Sequence, residues 1–389
     1  MLVTHSIIEN LLAESVHEAR QREHNAFDKL AGNPGGSLVL FGAGGLGRRC
    51  LAGLRSHGIE PITFADNNPK LWGKQVEGLQ VLDPRKAAGC FGRTSAFVIT
   101  IWGALSADRM SDREMQLRSL GCTTVIPFAP LFWKYPEHVL PHYAADLPHH
   151  VIEKADDVFR GFDLWADEES RREYIAQLKW RLFFDFDAMA PPQRQNIYFP
   201  PGLVELRSDE VFVDCGAFDG DTLDLFLRKS KFAFGRAFAF EPDPANFARL
   251  SDAVAFQSSQ VRTRIEIKRA AVGERDGTVR FSAEGTASSS VGKGDVEVEC
   301  VTLDHHVRDF NPTIIKMDIE GAEPDALRGA ATLIREKSPL LAISCYHQQD
   351  HLWSIPLLIQ SLNPDYRFYL RPHDLEGWDL VCYAIPNQR

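Results

Sequence analysis

The feature that most constrains the fold of this chain is an alternation of short apolar segments with helical segments, which occurs twice. The first series of apolar segments is 38–41, 62–65, 97–101 and 124–126. The second series is 211–213, 237–240, 314–317 and 340–344. Apolar strands that alternate with helices are typical of a parallel sheet covered on both faces. The sequence therefore predicts an α/β protein with two Rossmann-like, doubly wound domains in tandem.

Interruptions of this alternation divide the 389 residues into four predicted segments. They are an N-terminal helical segment (1–36), a Rossmann-like nucleotide-binding domain (37–130), a helical connector (131–208) and a second α/β domain (209–389). In the first segment, Ser6 and Glu9 have the spacing of a capping box, which predicts a helix that begins there. In the connector, the apolar stripe of Tyr174, Leu178 and Leu182 predicts one clear helix.

Turn signals predict further strand pairing in the second α/β domain. The apolar segments 367–370 and 380–384 are separated by a stretch too short for a helical crossover, so they should form an antiparallel pair. Asp276 and Gly277, between two strand-like runs, predict a hairpin. The serine-rich segment 287–292 is expected to be a loop that either closes over a ligand or stays solvated.

Composition and charge exclude several classes of partner. Lys and Arg total 43 against 53 Asp and Glu, a formal net charge of −10. This argues against nucleic acid as a partner, because such binding depends on clustered basic residues. We expect no membrane span and no secretory signal, and hence a cytoplasmic protein, with a homo-oligomer left open. The cysteines are dispersed and never spaced as C-x-x-C, so neither a disulfide framework nor a zinc site is expected.

A glycine-rich loop follows the first strand of each α/β domain, at the edge where such sheets bind ligands. In the first loop, Gly42, Gly44 and Gly47 fit the G-x-G-x-x-G pattern and open a helix, whose N-terminus attracts anions. Asp66, at the end of the second strand, is placed to accept hydrogen bonds from a ribose or sugar diol. These four residues predict a nucleotide or nucleotide-sugar site, with a purely structural turn as the alternative.

The second loop carries negative charge. Asp214, Asp219 and Asp221 would repel a pyrophosphate in a partly desolvated cleft, and they suit a ligand with a positive sulfur and an ammonium group. Glu241, which ends the next strand, is in position for ribose hydroxyls. The arrangement predicts an S-adenosylmethionine site. Its predicted contacts are Asp214, Gly216, Ala217, Phe218, Asp219, Gly220, Thr222, Glu241, Pro242 and Asp243.

Four motifs in order carry a resemblance to a known family. They are VFVDCGAFDGDT (211–222), AFEPDP (239–244), AAVG (270–273) and KMDIEGAE (316–323). Together they resemble the FkbM-type S-adenosylmethionine-dependent methyltransferases. The resemblance implies a class I methyltransferase fold for 209–389 and methyl transfer, usually to a hydroxyl oxygen of a sugar or polyketide-like small molecule. The first α/β domain is similar to the nucleotide-binding domain that precedes bacterial sugar acetyltransferases, and to dinucleotide-binding domains.

Methyl transfer to an alcohol requires alignment of the acceptor oxygen and removal of its proton. The predicted catalytic residues follow the fourth and fifth strands of the second domain: Lys316, Asp318, Glu320 and His347. Lys316 and Asp318 share one face of an extended segment and could form a charge pair that orients the hydroxyl. His347 could act as general base or only hydrogen-bond locally. Glu320 and Glu323 could equally stabilise a helix dipole, and we expect no bound metal, although such acids could hold a divalent cation.

The sequence therefore predicts an S-adenosylmethionine-dependent O-methyltransferase that acts on a small hydroxylated metabolite, such as a sugar or a glycosylated compound. Two alternatives stay open. In one, the first α/β domain binds NAD or a nucleotide sugar and supplies the main chemistry. In the other, the protein binds S-adenosylmethionine as a sensor, without turnover.

Overall fold

The computed structural model describes residues 5–32, 37–282, 290–291 and 296–388. The serine-rich segment 287–292 therefore lies outside the described residues, apart from Ser290–Val291. Within the described ranges, no helix has the length and apolar character needed to cross a membrane.

The N-terminal segment forms two helices, α1 (His5–Leu11) and α2 (Val16–Ala31). The capping box lies at the start of the second helix. The Glu18 N–H donates to the Ser15 hydroxyl at 3.3 Å, and the Ser15 N–H donates to the Glu18 carboxylate at 2.8 Å. The helix predicted to begin near Ser6 is present as α1, and the capping box at Ser15 begins the longer helix α2.

Six strands form the N-terminal sheet. They are β1 (Leu38–Phe41), β2 (Thr63–Ala65), β3 (Gln75–Val76), β4 (Leu79–Leu82), β5 (Ala96–Ile99) and β6 (Thr124–Pro127). Their order is β3-β4-β2-β1-β5-β6, and all neighbours are parallel except β3 and β4. The sequence prediction missed β3 and β4, because these short strands alternate buried with exposed residues instead of forming an apolar run.

The described residues of this half form seven more α-helices. They are α3 (Gly45–Ser56), α4 (Pro84–Phe91), α5 (Met110–Ser119), α6 (Phe128–Lys134), α7 (Pro148–Glu153), α8 (Ala155–Asp163) and α9 (Glu168–Phe183). The stripe of Tyr174, Leu178 and Leu182 is fully buried in α9, as predicted. α9 packs against the C-terminal sheet, while its Trp180 meets Trp102 of the N-terminal half at 5.6 Å between ring centroids. The helix therefore connects the two halves of the core.

Eleven strands of the second half complete the described β-structure. They are β7 (Val211–Cys215), β8 (Arg236–Phe240), β9 (Ile265–Lys268), β10 (Ala271–Val272), β11 (Gly277–Ser282), β12 (Ser290–Val291), β13 (Val296–Val301), β14 (Ile314–Met317), β15 (Leu340–Ser344), β16 (Tyr366–Pro372) and β17 (Leu380–Pro386). The helices are α10 (Asp221–Lys229), α11 (Pro244–Ala255), α12 (Ser259–Arg262), α13 (Leu303–His306), α14 (Glu323–Arg328), α15 (Ala331–Lys337) and α16 (His351–Leu362).

The large C-terminal sheet has the order β16-β17-β15-β14-β7-β8-β9. Its first five strands in chain order are parallel, and β17 pairs antiparallel with both β15 and β16. This confirms the predicted terminal strand pair and, with the N-terminal sheet, the predicted fold class. The division into four segments stays a prediction.

A small sheet with the order β10-β13-β11-β12 lies beside the large one. The predicted hairpin at Asp276 and Gly277 is wrong, because β10 and β11 both pair with β13 and not with each other. The Asp276 carboxylate accepts a hydrogen bond from the N–H of Thr302, directly after β13, at 2.6 Å. The turn is thus held to β13, which separates the two runs that the sequence suggested as partners.

Candidate active site

A cavity of about 530 Å³ lies between the carboxyl ends of the two large sheets. This volume is within the range of sites that bind cofactors and metabolites. The C-terminal sheet contributes residues that follow β7, β8, β14 and β15, and the N-terminal half contributes Trp102–Leu105, which follow β5, together with His142 and Tyr143. Because β14 lies between β7 and β15, Asp318, directly after β14, occupies the middle of the wall.

The glycines of the second loop are explained by close packing at Gly216 and by left-handed backbone conformation at both Gly216 and Gly220. A Cβ atom on Gly216 would lie 2.0 Å from the carbonyl oxygen of Asp318, and its φ of +78° is in the left-handed region. Gly220, with φ +92°, is the N-cap residue of α10. Gly216 is therefore required by the contact between two loops of the protein itself.

Glu241 is fixed at the end of β8 by two backbone donors. Its carboxylate accepts hydrogen bonds from the N–H groups of Phe218 at 2.9 Å and Asp243 at 2.8 Å. Burial raises the pKa of Glu241, and these backbone hydrogen bonds oppose the rise. A carboxylate has about four acceptor sites, so further acceptor capacity is left for ligand hydroxyls at the cavity wall.

Lys316 forms a buried ion pair with Asp214. The Nζ atom lies 3.0 Å from Asp214 Oδ1 and donates to the carbonyl oxygen of Gly216 at 2.6 Å. Lys316 and Asp214 are register partners in the parallel strands β14 and β7, which places their side chains on the same face. Burial opposes the charge of Lys316, but Asp214, Asp318 and Asp221 outweigh it and raise its pKa. The predicted Lys316–Asp318 pair is replaced by this one.

Asp318 accepts hydrogen bonds from two tyrosines. The hydroxyl of Tyr198 donates to Oδ2 at 2.7 Å, and that of Tyr346 lies 3.4 Å from Oδ1. Nε2 of His347 lies 3.3 Å from the same oxygen. Burial alone would raise the pKa of Asp318, but His347 and Lys316 outweigh it and hold the pKa below its ordinary value. Asp318 is therefore ionised at neutral pH and acts as a fixed hydrogen-bond acceptor.

His347 lies behind the cavity wall, with 1% of its side chain exposed. Its Nδ1 is 2.9 Å from Glu323 Oε1, and its Nε2 is 3.8 Å from Glu320 Oε1. Burial would lower the pKa of His347, but the surrounding carboxylates of Glu323, Asp318 and Glu320 raise it well above the ordinary value. An imidazolium cannot accept a proton, so this geometry favours a positioning role for His347 over the predicted general base.

Glu320 lines the cavity beside Asp318. Its φ of +55° is uncommon for a residue with a side chain. Burial raises its pKa to about 7, the charges of Asp318 and Glu323 add to the shift, and that of His347 opposes it. Glu323, at the start of α14, is fully buried and accepts a hydrogen bond from the Ile319 N–H at 2.8 Å. Of the two acids, Glu320 is thus the one that a ligand can reach.

Two groups of described residues bring metal-ligating atoms within 4.8 Å of one another: Asp318, Glu323 and His347, and Asp276, His305 and His306. In the first group, the charge of His347 already compensates the carboxylates. The ligand spacing within the sequence does not indicate either group as a metal site, because the residues of each group come from separate segments of the chain. The absence of a bound metal stays a prediction.

The glycine loop of the N-terminal sheet is closely packed against its own strands. A Cβ on Gly42 would lie 2.5 Å from Cγ1 of Ile101, and one on Gly47 would lie 1.9 Å from the Gly42 carbonyl oxygen. The Asp66 carboxylate accepts hydrogen bonds from the N–H groups of Ala43 at 2.8 Å and Asn68 at 2.7 Å. These contacts suffice to explain the motif structurally, and the nucleotide site stays a prediction.

The structure brings together eight of the eighteen predicted site residues at the cavity wall. They are Gly216, Phe218, Thr222, Glu241, Pro242, Lys316, Asp318 and Glu320. The others do not line this cavity: Asp214, Ala217, Asp219, Gly220, Asp243, His347, Gly42, Gly44, Gly47 and Asp66. Asp214 and His347 nevertheless contact wall residues directly, through Lys316 and Asp318.

Sequence reasoning missed the aromatic part of the wall. Trp102, Tyr143, Tyr198, Tyr346 and Trp378 all line the cavity, and they come from five separate segments. The available signal was weak: Tyr346 immediately precedes His347 after β15, and Trp102 follows β5 at the ligand-binding edge of its sheet. The other three lie in loops whose path only the folded chain defines.

A comparison with known protein families shows which family the C-terminal half resembles. Residues 214–374 match the sequence profile of the methyltransferase FkbM domain. Over these residues the chain is similar to the FkbM-type methyltransferases. The resemblance expected from the four motifs is confirmed, and the FkbM-type domain contains Glu241, Lys316, Asp318, Glu320 and Tyr346. An S-adenosylmethionine-dependent methyltransferase is thereby supported, whereas O-methylation and the sugar-like acceptor stay predictions.

Solved structures show how far the fold extends. The crystal structure of methyltransferase FkbM from Methylobacillus flagellatus KT has a TM-score of 0.76 at 24% identity, over 96% of this chain and 99% of that chain. This likeness shows a common fold across both sheets. Precorrin-6y C5,15-methyltransferase from Geobacter metallireducens GS-15 covers 52% of this chain and 96% of its own at 11% identity, with a TM-score of 0.31.

Aeropyrum pernix fibrillarin, in complex with S-adenosyl-L-methionine, covers 47% of this chain and 70% of its own at 12% identity, with a TM-score of 0.30. Scores of this size support no argument about this chain. No protein with a curated description matches it.

Proposed function

We propose that this FkbM-type protein is an S-adenosylmethionine-dependent O-methyltransferase whose acceptor is a hydroxyl group of a small metabolite, such as a sugar or a glycosylated compound. The observation that carries the proposal is the position of Asp318 and Glu320. These two carboxyl groups line one cavity between the Glu241 end of the wall and the aromatic end. An acceptor hydroxyl held there would meet a fixed hydrogen-bond acceptor and a proton acceptor side by side.

The residues at the Glu241 end fit the cofactor in chemical type. Phe218, Phe240 and Pro242 supply apolar surface for an adenine ring, Glu241 offers acceptor atoms for ribose hydroxyls, and the exposed Asp221 offers a negative charge for the ammonium group. When bound, S-adenosylmethionine supplies an electrophilic methyl group on a positively charged sulfur. The protein's own residues then have to align the acceptor oxygen and remove its proton.

Asp318 and Glu320 have different roles, orientation of the acceptor hydroxyl and removal of its proton. Asp318 is a weak base because its pKa is lowered, so its role is to accept a hydrogen bond from the hydroxyl and orient it. Glu320 has a pKa of about 7, which suits a general base near neutral pH. As the acceptor oxygen becomes an ether oxygen, its proton passes to the Glu320 carboxylate. His347 and Tyr198 act as positioning residues that hold Asp318.

Two variants with one substitution each test the proposal. Glu241→Ala should weaken S-adenosylmethionine binding, measured by calorimetry, because it removes the acceptor atoms fixed at the end of β8. Asp318→Asn should leave that affinity within a few-fold of the wild-type value but reduce methyl transfer by about 10²-fold or more, measured with radiolabelled methyl donor and a metabolite extract. Normal turnover in Asp318→Asn, or unchanged cofactor affinity in folded Glu241→Ala, would contradict the corresponding assignment.

A further inference from the structure

The N-terminal half of the chain has no role in the chemistry described so far, although it forms one side of the cavity. We propose that it forms half of the acceptor-binding site, in which Trp102–Leu105 and Tyr143 hold the acceptor against Asp318 and Glu320 and so determine specificity. The proposal rests on the proposed function, because it assigns a binding site to the acceptor of that reaction.

The strand order separates the two ends of the cavity. Glu241 follows β8, whereas Tyr346 follows β15, and β7 and β14 lie between these two strands. Neighbouring strands are about 4.8 Å apart, so β8 and β15 are separated by roughly 14 Å. The wall is therefore long enough for a cofactor and an acceptor side by side, with Asp318 at the boundary. The N-terminal residues meet the wall at its β15 and β17 end.

Aromatic rings from both halves pack against one another at that end. The ring centroids of Trp102 and Trp378 are 4.7 Å apart, and those of Tyr143 and Trp378 are 4.6 Å apart. Tyr143 also stacks on Tyr346 at 6.5 Å. Flat aromatic faces bury the apolar face of a ring-shaped molecule while its edge remains available for hydrogen bonds. This surface suits the hydroxylated ring of a sugar or a glycosylated compound.

A buried donor at the same end has no partner among the residues that the structure describes. The indole N–H of Trp378, a residue only 6% exposed, has no acceptor among the described residues. Buried donors are nearly always paired, and the side chain of Trp378 belongs to the cavity wall, so we assign the missing acceptor to the ligand. A hydroxyl or ring oxygen of the acceptor would accept this hydrogen bond, and the adjacent Asp379 carboxyl at the wall would bind a neighbouring hydroxyl.

Hydrogen bonds fix the N-terminal residues to the C-terminal sheet. The indole N–H of Trp102 donates to the carbonyl oxygen of Glu376 at 3.2 Å, and the N–H of Leu105 donates to the Asp374 carboxylate. Arg194 donates to that same carboxylate and, at 2.8 Å, to the carbonyl oxygen of Ser106. The loop after β5 is thus attached to the turn between β16 and β17. Its place in the wall belongs to the fold and needs no ligand to create it.

The test fills the acceptor end without removing a core side chain. Ala104 is exposed and lines the cavity, so Ala104→Phe should obstruct the acceptor. The matched control is Ala233→Phe, at an exposed position outside the cavity wall. Trp378→Phe, which keeps an aromatic ring but removes the unpaired N–H, tests the hydrogen bond separately. Each variant is assayed for S-adenosylmethionine affinity by calorimetry and for methyl transfer from labelled donor to a serially diluted metabolite extract.

We expect Ala104→Phe and Trp378→Phe to require at least about tenfold more extract for half-maximal rate, with cofactor affinity changed less than about twofold. Ala233→Phe should behave as the wild type does. Unchanged half-saturation in both cavity variants, beside wild-type turnover, would overturn the acceptor site and leave the proposed function intact. A wild-type protein that binds no S-adenosylmethionine, or transfers no methyl group to the extract, would instead refute the proposed function on which this inference rests.

Discussion

Replacing Glu320 by glutamine should remove activity and, at the same time, increase stability above neutral pH. Both effects have one cause. The carboxyl group is buried, with its pKa raised to about 7 from an ordinary value of 4.5. The folded state therefore holds the Glu320 proton more tightly than the unfolded state does. Stability from this group is fully present below pH 4.5 and is lost as the pH rises through 7.

The rise in the pKa of Glu320 determines how large the change in unfolding free energy should be. It corresponds to about 3 kcal/mol of unfolding free energy lost between the protonated and the ionised state of Glu320. Glu320→Gln cannot ionise, so relative to the wild type it should gain up to about that amount between pH 4.5 and 8. At pH 8 the same substitution should lower kcat by about 10²–10⁴-fold, because the general base is lost. In the wild type, kcat/KM should rise with pH through an apparent pKa near 7.

Urea unfolding at pH 5 and pH 8, together with methyl transfer at pH 8, measures both effects. The control is Glu336→Gln, because Glu336 is exposed on α15 and outside the cavity wall. For Glu336→Gln we expect no pH-dependent stability difference and normal turnover. The assignment of Glu320 as a buried base would be refuted if Glu320→Gln changed the unfolding free energy by the same amount at both pH values. A methyl-transfer rate of this variant within about tenfold of the wild-type rate would also refute it.

Two further substitutions test how the loops and helices are built. Gly216→Ala should destabilise the fold by at least about 1–2 kcal/mol through its left-handed backbone alone, and more through the clash with the Asp318 carbonyl. The control is Gly44→Ala, because a Cβ added there meets no atom within 4 Å. Equal unfolding midpoints for the two variants would contradict the close approach at Gly216. Ser15→Ala should cost about 1 kcal/mol by removing the N-cap of α2, and Ser15→Asp should not. Thermal unfolding of these two variants decides whether the cap stabilises the fold.

Much of the second half of the chain could be predicted because its information is local. The apolar runs at Val211–Cys215 and Ile314–Met317 are buried strands, and the motif that includes Asp318 follows one of them directly. Strand order then places the ends of β7, β8 and β14 at one edge, so Gly216, Glu241 and Asp318 converge. Local patterning was insufficient where a third strand intervened between two strand-like runs, as at Asp276.

The sequence by itself determined the two α/β units, the glycine loops and the resemblance of the C-terminal half to a known family, since these depend on the order and periodicity of nearby residues. Only the tertiary structure decided which charges meet. It paired Lys316 with Asp214 across β14 and β7, and it surrounded His347 with carboxylates that keep it protonated. It also brought the ring of Trp102, which follows β5, to 4.7 Å between centroids from the ring of Trp378, which precedes β17. Burial, charge pairing and long-range packing depend on distances between segments far apart in the chain, which no local pattern records.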